Sequence, residues 1–456
     1  MSDGRGREPG EGPLAKLMRV IPPGTHLVIG GTVVLGAASY IQIAIAGHAL
    51  STYPRAAVSE LWSLVMTLSL GLFFPVEQEL TRVVAARVVR GEGVAPVLRR
   101  AALLTVGLLV LLCGGLAAFA QPLATRFFNG DTGLVWAFGG ALVGMGLVYL
   151  TRGVLAGLAL FDAYGRSLAY DGAFRIVLAL GLYVAGVHEA IAYALVLAVA
   201  PLMAMLFTLR PTLRGCHDGP PMAWRELLQN MTMMMGASVL AQIVVNAPVI
   251  TLALLAPVSD PGHTYSNLTF AVLTAGVLCR IPLFIFGSLQ PTLMTGLSTA
   301  ATAGDRQGFR RMLLRTCGVI AALGLLGGIP SVLLGAWLIR VFFKAPDVLH
   351  FLDFFWFAAG TMCYMLALIL GQALMAMNRH RLQLLGWALG TAALVGATFV
   401  TGAVSTRVEF AYFTGSAVTA VVLLVLLWRV SGRWNDAPEA VGLVGEPSPT
   451  VTRATQ

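Results

Sequence analysis

Apolar residues along this chain fall in unbroken runs of about twenty, separated by short polar stretches rich in arginine. A helix rises ~1.5 Å per residue, so about 20 apolar residues cross the ~30 Å hydrocarbon core of a bilayer. Twelve runs meet that length. The first six cover residues 27–47, 60–80, 101–120, 134–158, 168–187 and 190–209. The second six cover 232–256, 268–289, 316–338, 354–375, 382–402 and 410–428. The pattern predicts an all-α polytopic membrane protein. Only Val187, His188 and Glu189 separate the fifth run from the sixth. The first run is too long for a removable signal peptide and lacks a small-residue cleavage site, so it reads as a retained helix.

Charge sets the orientation. Counting the termini, the even-numbered connections hold 22 of the 30 basic residues, among them Arg82, Arg87, Arg99, Arg100, Arg310, Arg311 and Arg379. The odd-numbered loops hold five: Arg55, Arg126, Arg340, Lys344 and Arg407. Basic loops stay in the cytoplasm, so both termini are expected inside, in a bacterial inner membrane. An odd number of spans would destroy the alternation.

The chain also repeats itself. Ser59–Glu60–Leu61 recurs as Ser266–Asn267–Leu268, and Pro75 recurs as Pro282 at the same offset of 207. Arg99–Arg100 then matches Arg310–Arg311, and Arg126–Phe127–Phe128 matches Val341–Phe342–Phe343. Last, Ala163–Tyr164–Gly165–Arg166 matches Asn378–Arg379–His380–Arg381. Each half has an even number of spans, so the two six-helix lobes are parallel, with a cavity expected between them. The expected division is a polar N-terminus at 1–23, one lobe at 24–209, a linker at 210–230, a second lobe at 231–430 and a disordered tail at 431–456.

Composition removes other classes. With 57% hydrophobic and 11% charged residues, the chain cannot cover a soluble surface. Its formal charge of +9 is spread over loops, unlike the patch of a nucleic-acid binder. The five cysteines show no metal-ligand or disulfide spacing and read as core residues. GxxxxGK[ST], HExxH and GxSxG are all missing, so no ATP site, zinc site or nucleophile elbow is expected. Gly140/Gly144, Gly153/Gly157 and Gly386/Gly390 have a spacing that allows close helix approach.

Charges inside a span cost about 2.5–3.5 kcal/mol near the midplane on insertion scales, so they face a cavity or a partner. Arg280 lies mid-span in the eighth run, two residues before Pro282, whose ring loosens the helix ladder. Its planar fork suits a phosphate or diphosphate; the other role is to lock helices together through carbonyls or an acid. Asn246 in the seventh run could line the cavity or bridge helices. Arg152 and Arg175 are further substrate-binding candidates. Asp171 and Arg175, four apart, form an ion pair by default, and with Glu77, Glu79 and Asp162 they suggest a cytoplasmic-side polar network that gates the lobes. Pro75 and Pro282 are the candidate kinks.

The six-plus-six plan, the stretch Arg280–Ile281–Pro282 running on to Gln290–Pro291, and the turn Asn378–Arg379 resemble one group. It is the multidrug/oligosaccharidyl-lipid/polysaccharide exporter superfamily, especially its polysaccharide-flippase branch. The resemblance spans residues 27–428. It implies a V-shaped pair of bundles that moves a polyprenyl-diphosphate-linked saccharide from the inner to the outer leaflet by alternating access. Cationic cavity residues would meet the diphosphate, and only Arg280 maps onto that role comfortably. Partners would be the lipid-linked glycan, membrane lipids and glycan-assembly enzymes. No cofactor is called for, because an inside-negative potential favours outward movement of negative charge by about 2.3 kcal/mol per charge per 100 mV. The two extra helices of lipid II flippases are missing. Rival readings are an ion-coupled multidrug exporter, which should carry more intramembrane acids than Asp171, and a scaffold that keeps the fold without transporting. A major-facilitator transporter would show a GxxxDRxGRR-like loop, absent here.

Overall fold

The computed structural model describes residues 24–228, 231–257, 260, 262–400 and 402–432. The polar N-terminus at 1–23 and the tail from 433 lie outside them. Every element among the described residues is helical. In chain order they are α1 (Thr25–Ala49), α2 (Thr52–Leu68), a π-helical segment (Ser69–Phe73), α3 (Phe74–Val89), α4 (Ala95–Ala118) and α5 (Ala120–Phe127). Then come α6 (Thr132–Gly157), α7 (Phe161–Val184), α8 (Ala190–Arg214) and α9 (Trp224–Leu228). The second half holds α10 (Met231–Leu255), α11 (Thr264–Cys279), α12 (Ile281–Thr302), α13 (Arg306–Phe343), α14 (Phe351–Ala376), α15 (His380–Ala397) and α16 (Val404–Gly432).

These make twelve crossings. Ten are single helices long and apolar enough to span a membrane, with α2, the π segment and α3 forming one of 38 residues. The other two are α15 and the pair α11–α12. Twelve crossings place the start of α1 and the end of α16 on one side, termed the terminal face; the opposite side is the far face.

Two expectations change. The eighth run is two helices, because the chain leaves helical geometry at Arg280 (φ −90°, ψ 1°) and Pro282 stands in the first turn of α12. A proline cannot bond to the carbonyl four residues back, so it sits naturally at a helix start. The segment Ala163–Arg166, matched above to a turn, lies inside α7. The turn before α7 is made earlier, at Ala159, whose φ of 56° parallels the 59° of Asn378. The helices also run past the apolar runs: α13 spans 38 residues because its first turns, with Arg310, Arg311 and Arg315, continue into the polar boundary. Short polar side chains cap such ends. Asp131 and Asp305 accept from Gly133 and Gly308 N–H, each at 2.8 Å.

Within the first half α1 packs on α7, α6 on α8 and α3 on α6; within the second, α14 and α15 pack on α16, and α13 on α14. One glycine of each spaced pair marks a close approach: Gly144 lies against the Ala198 carbonyl of α8, Gly157 against Val84 of α3, and Gly390 against Thr419 of α16. A Cβ at any of these would collide with its neighbour. The halves meet where α10 and α11 pack on α2. The repeat survives in detail: Asn129 and Lys344, 215 residues apart like the phenylalanines before them, both take left-handed backbone.

Candidate functional site

Buried charge is arranged differently in the two lobes. In the first, Asp171 of α7 is fully buried and bonds two arginines. Arg152 of α6 reaches its Oδ2 at 3.0 Å, and Arg175, one turn on, reaches Oδ1 at 2.8 Å. Arg152 also donates to the Ser167 hydroxyl (3.2 Å) and carbonyl (3.3 Å). Both arginines are at most 3% exposed. Their donors are thus committed within the lobe. Glu77 of α3 accepts from the Tyr164 hydroxyl at 2.8 Å, and Tyr149 stacks below Arg152. Glu79 is apart from this group and pairs with the half-exposed Arg82 on its own helix. Asp162 is exposed at the start of α7, its carbonyl accepting from Arg166 at 3.2 Å.

In the second lobe Arg280 is 8% exposed and no carboxylate pairs with it among the described residues. It occupies the break between α11 and α12. Its guanidinium donates to Asn246 Oδ1 at 3.3 Å and to the Val245 carbonyl, while its Nε has no partner. Gly276, one turn back, faces the folded-back side chain. The side chains of Gln290 and Pro291 lie outside the described residues.

Both irregularities lie on the boundary between lobes, and a side chain of the opposite lobe bonds each. The π segment frees carbonyls, and Ser238 of α10 donates to that of Leu70 at 3.0 Å. At the break, Tyr40 of α1 donates to the Val277 carbonyl at 3.0 Å. Leu70 and Val277 are 207 residues apart, the offset of Pro75 and Pro282. Toward the far face the lobes are joined again. Arg126 donates to the Leu254 and Ala256 carbonyls at the end of α10, Tyr53 to the Asp260 carbonyl, and Arg55 to the Lys344 carbonyl while lying over Phe270.

Sequence reasoning missed two buried acids, Glu409 of α16 and Asp353 of α14. Each fell one residue before an apolar run, at 410 and at 354, and so read as loop. The helices start earlier, and Glu409 is wholly enclosed. With them, Asp171 is no longer the lone acid buried among the long apolar helices.

No protein-family model matches the chain. Uncharacterized proteins of Mycobacterium bovis and Mycobacterium tuberculosis are 26% identical over 297 residues, 63% of this chain. The match covers 65% of their length. The fold is similar to an inward-facing multidrug resistance MATE family transporter of the MOP superfamily, with TM-score 0.66, 13% identity, and 89% of this chain and 96% of that one covered. An outward-facing form gives 0.64 at 14% identity over 91% and 99%. A eukaryotic MATE transporter gives 0.65 at 14% over 91% and 98%. The chain therefore has a MATE-like fold.

Proposed function

We propose that the chain is a transporter of the MOP type, and that it carries a polyprenyl-diphosphate-linked saccharide from the inner to the outer leaflet by alternating opening of its lobes. The observation that carries this reading is Arg280: a buried guanidinium at a helix break on the lobe boundary, whose Nε and charge meet no partner acid among the described residues. Holding such a charge near mid-membrane is costly, and an incoming diphosphate would relieve the cost through paired N–H donors. The sugar-diphosphate head would otherwise have to shed its hydration to cross hydrocarbon, while the prenyl tail stays in lipid. In this reading the arginine-rich connections of the terminal face lie in the cytoplasm, and the bonds of Arg126, Tyr53 and Arg55 close the far face.

A leaflet-resolved flipping assay in proteoliposomes with a labelled polyprenyl-diphosphate sugar tests the reading. Wild type should flip the lipid, Arg280→Ala should lose at least tenfold in rate, and Arg280→Lys should recover only part of it. Equal rates for all three would remove Arg280 from recognition. No flipping by folded wild type would refute the substrate.

An ion-coupled multidrug exporter is the second reading. The buried acids Glu409 and Asp353 favour it, as does the fold shared with multidrug resistance transporters. Export of a cationic dye under a proton or sodium gradient, with no lipid flipping, would establish it.

A further inference from the structure

Glu409 is a charge-bearing group enclosed by the protein. Its side chain is 0% exposed, yet among the described residues no N–H or hydroxyl donor reaches either carboxyl oxygen. The side chain that meets it is another acid, Asp353, from the first turn of α14. Asp353 is itself buried, with Oδ2 accepting the His350 N–H at 2.6 Å.

Among the described residues no cation pairs with either acid. Arg407, two residues before Glu409, is turned to the Thr398 carbonyl at 2.9 Å. Of the helices packed on α16, α10 carries no titratable side chain, and those of α15, His380 and Arg381, stand at its terminal-face end. On α14, Cys363 and Tyr364 lie deeper than Asp353, and on α16 itself Tyr412 is bonded to Thr361 at 3.1 Å. Cys279 of α11 is the remaining group within electrostatic reach. Two adjoining carboxylates buried away from solvent, with no cation beside them among the described residues, cannot both stay ionised, and one shared proton supplies the missing donor. Exposure rises stepwise outward, from Glu409 through Asp353 to His350, which is exposed at the far face. Oxygen ligands for a metal ion are too few: no cluster of three or more ligating side chains occurs among the described residues.

We propose that Glu409 and Asp353 form a proton-binding site, which holds one proton between the two carboxyls and exchanges it with the far face by way of Asp353. Its use as a coupling site rests on the transporter reading above; the binding itself does not, and holds for either substrate.

The test needs no substrate. Infrared difference spectra of the purified full chain in nanodiscs, recorded while pH is raised, should show a protonated-carboxyl carbonyl band in wild type that titrates away reversibly. The band should be lost in Glu409→Gln, shifted in its midpoint in Asp353→Asn, and unchanged in the control Glu92→Gln, a partly exposed acid paired with Arg90. If Glu409→Gln fails to fold, the midpoint shift in Asp353→Asn decides alone. Three results would overturn the proposal: a band that survives Glu409→Gln, a band that never titrates while the protein stays folded, or sodium-dependent thermal protection abolished by Glu409→Gln with no carboxyl band. Because no lipid is flipped in this experiment, its failure is separate from failure of the substrate assignment.

Discussion

The second and eighth crossings descend from one pattern, with prolines 207 residues apart, and yet they solve the same problem differently. In the second, the helix absorbs the proline by widening into a π segment and continues. In the eighth it breaks, and the residue at the break is Arg280, where the first lobe has Phe73. A phenylalanine buries in the surrounding core, while a guanidinium must find acceptors, and the break supplies them by letting the side chain fold back toward Asn246 and Val245. The lobes diverge in the same sense elsewhere. The first neutralises its charge locally, around Asp171. The second keeps Arg280 and the Glu409–Asp353 pair apart, each without an opposite partner among the described residues.

The comparison breaks most readily at Asp171. Asp171→Ala leaves two buried arginines unpaired and should cost about 3–5 kcal/mol, seen as a large fall in the thermal midpoint of the purified protein. Arg280→Met in the other lobe should change stability by less than about 1 kcal/mol, since it leaves no acid behind. A loss comparable to that of Asp171→Ala would mean that Arg280 is a structural lock. Between these lie the cross-lobe bonds: Ser238→Ala and Tyr40→Phe should each cost about 1 kcal/mol, and by the repeat they should cost about the same. Spin-label distances across the terminal face would show whether either loosens the lobes. The last effect belongs to Glu79→Gln, whose carboxyl is buried but whose partner Arg82 is more than half exposed. A loss of about 1 kcal/mol is expected there, and a loss approaching that of Asp171→Ala would place Glu79 in the network around Asp171.

The resemblance read from the sequence carried the fold, since the solved structures share it over about nine-tenths of the chain. It did not reach the saccharide, which remains the proposal tested above.

What the sequence determined by itself was local and periodic. The length of the apolar runs pointed to about twelve spans, the ordered matches to a repeat, and Pro75 and Pro282 to two kinks. These follow from hydrophobicity and backbone chemistry, which act along the chain. That one kink widens into a π segment and the other breaks was not legible. Only the tertiary structure decided which charges are satisfied. Asp171 is neutralised by Arg175 on its own helix, legible from the spacing, and by Arg152 from another helix, which is not. Glu409 and Asp353 looked like solvated loop residues because each stands just outside an apolar run. Whether a charge at such an edge meets water or protein depends on which helix packs over it, and spacing along one chain carries no record of that.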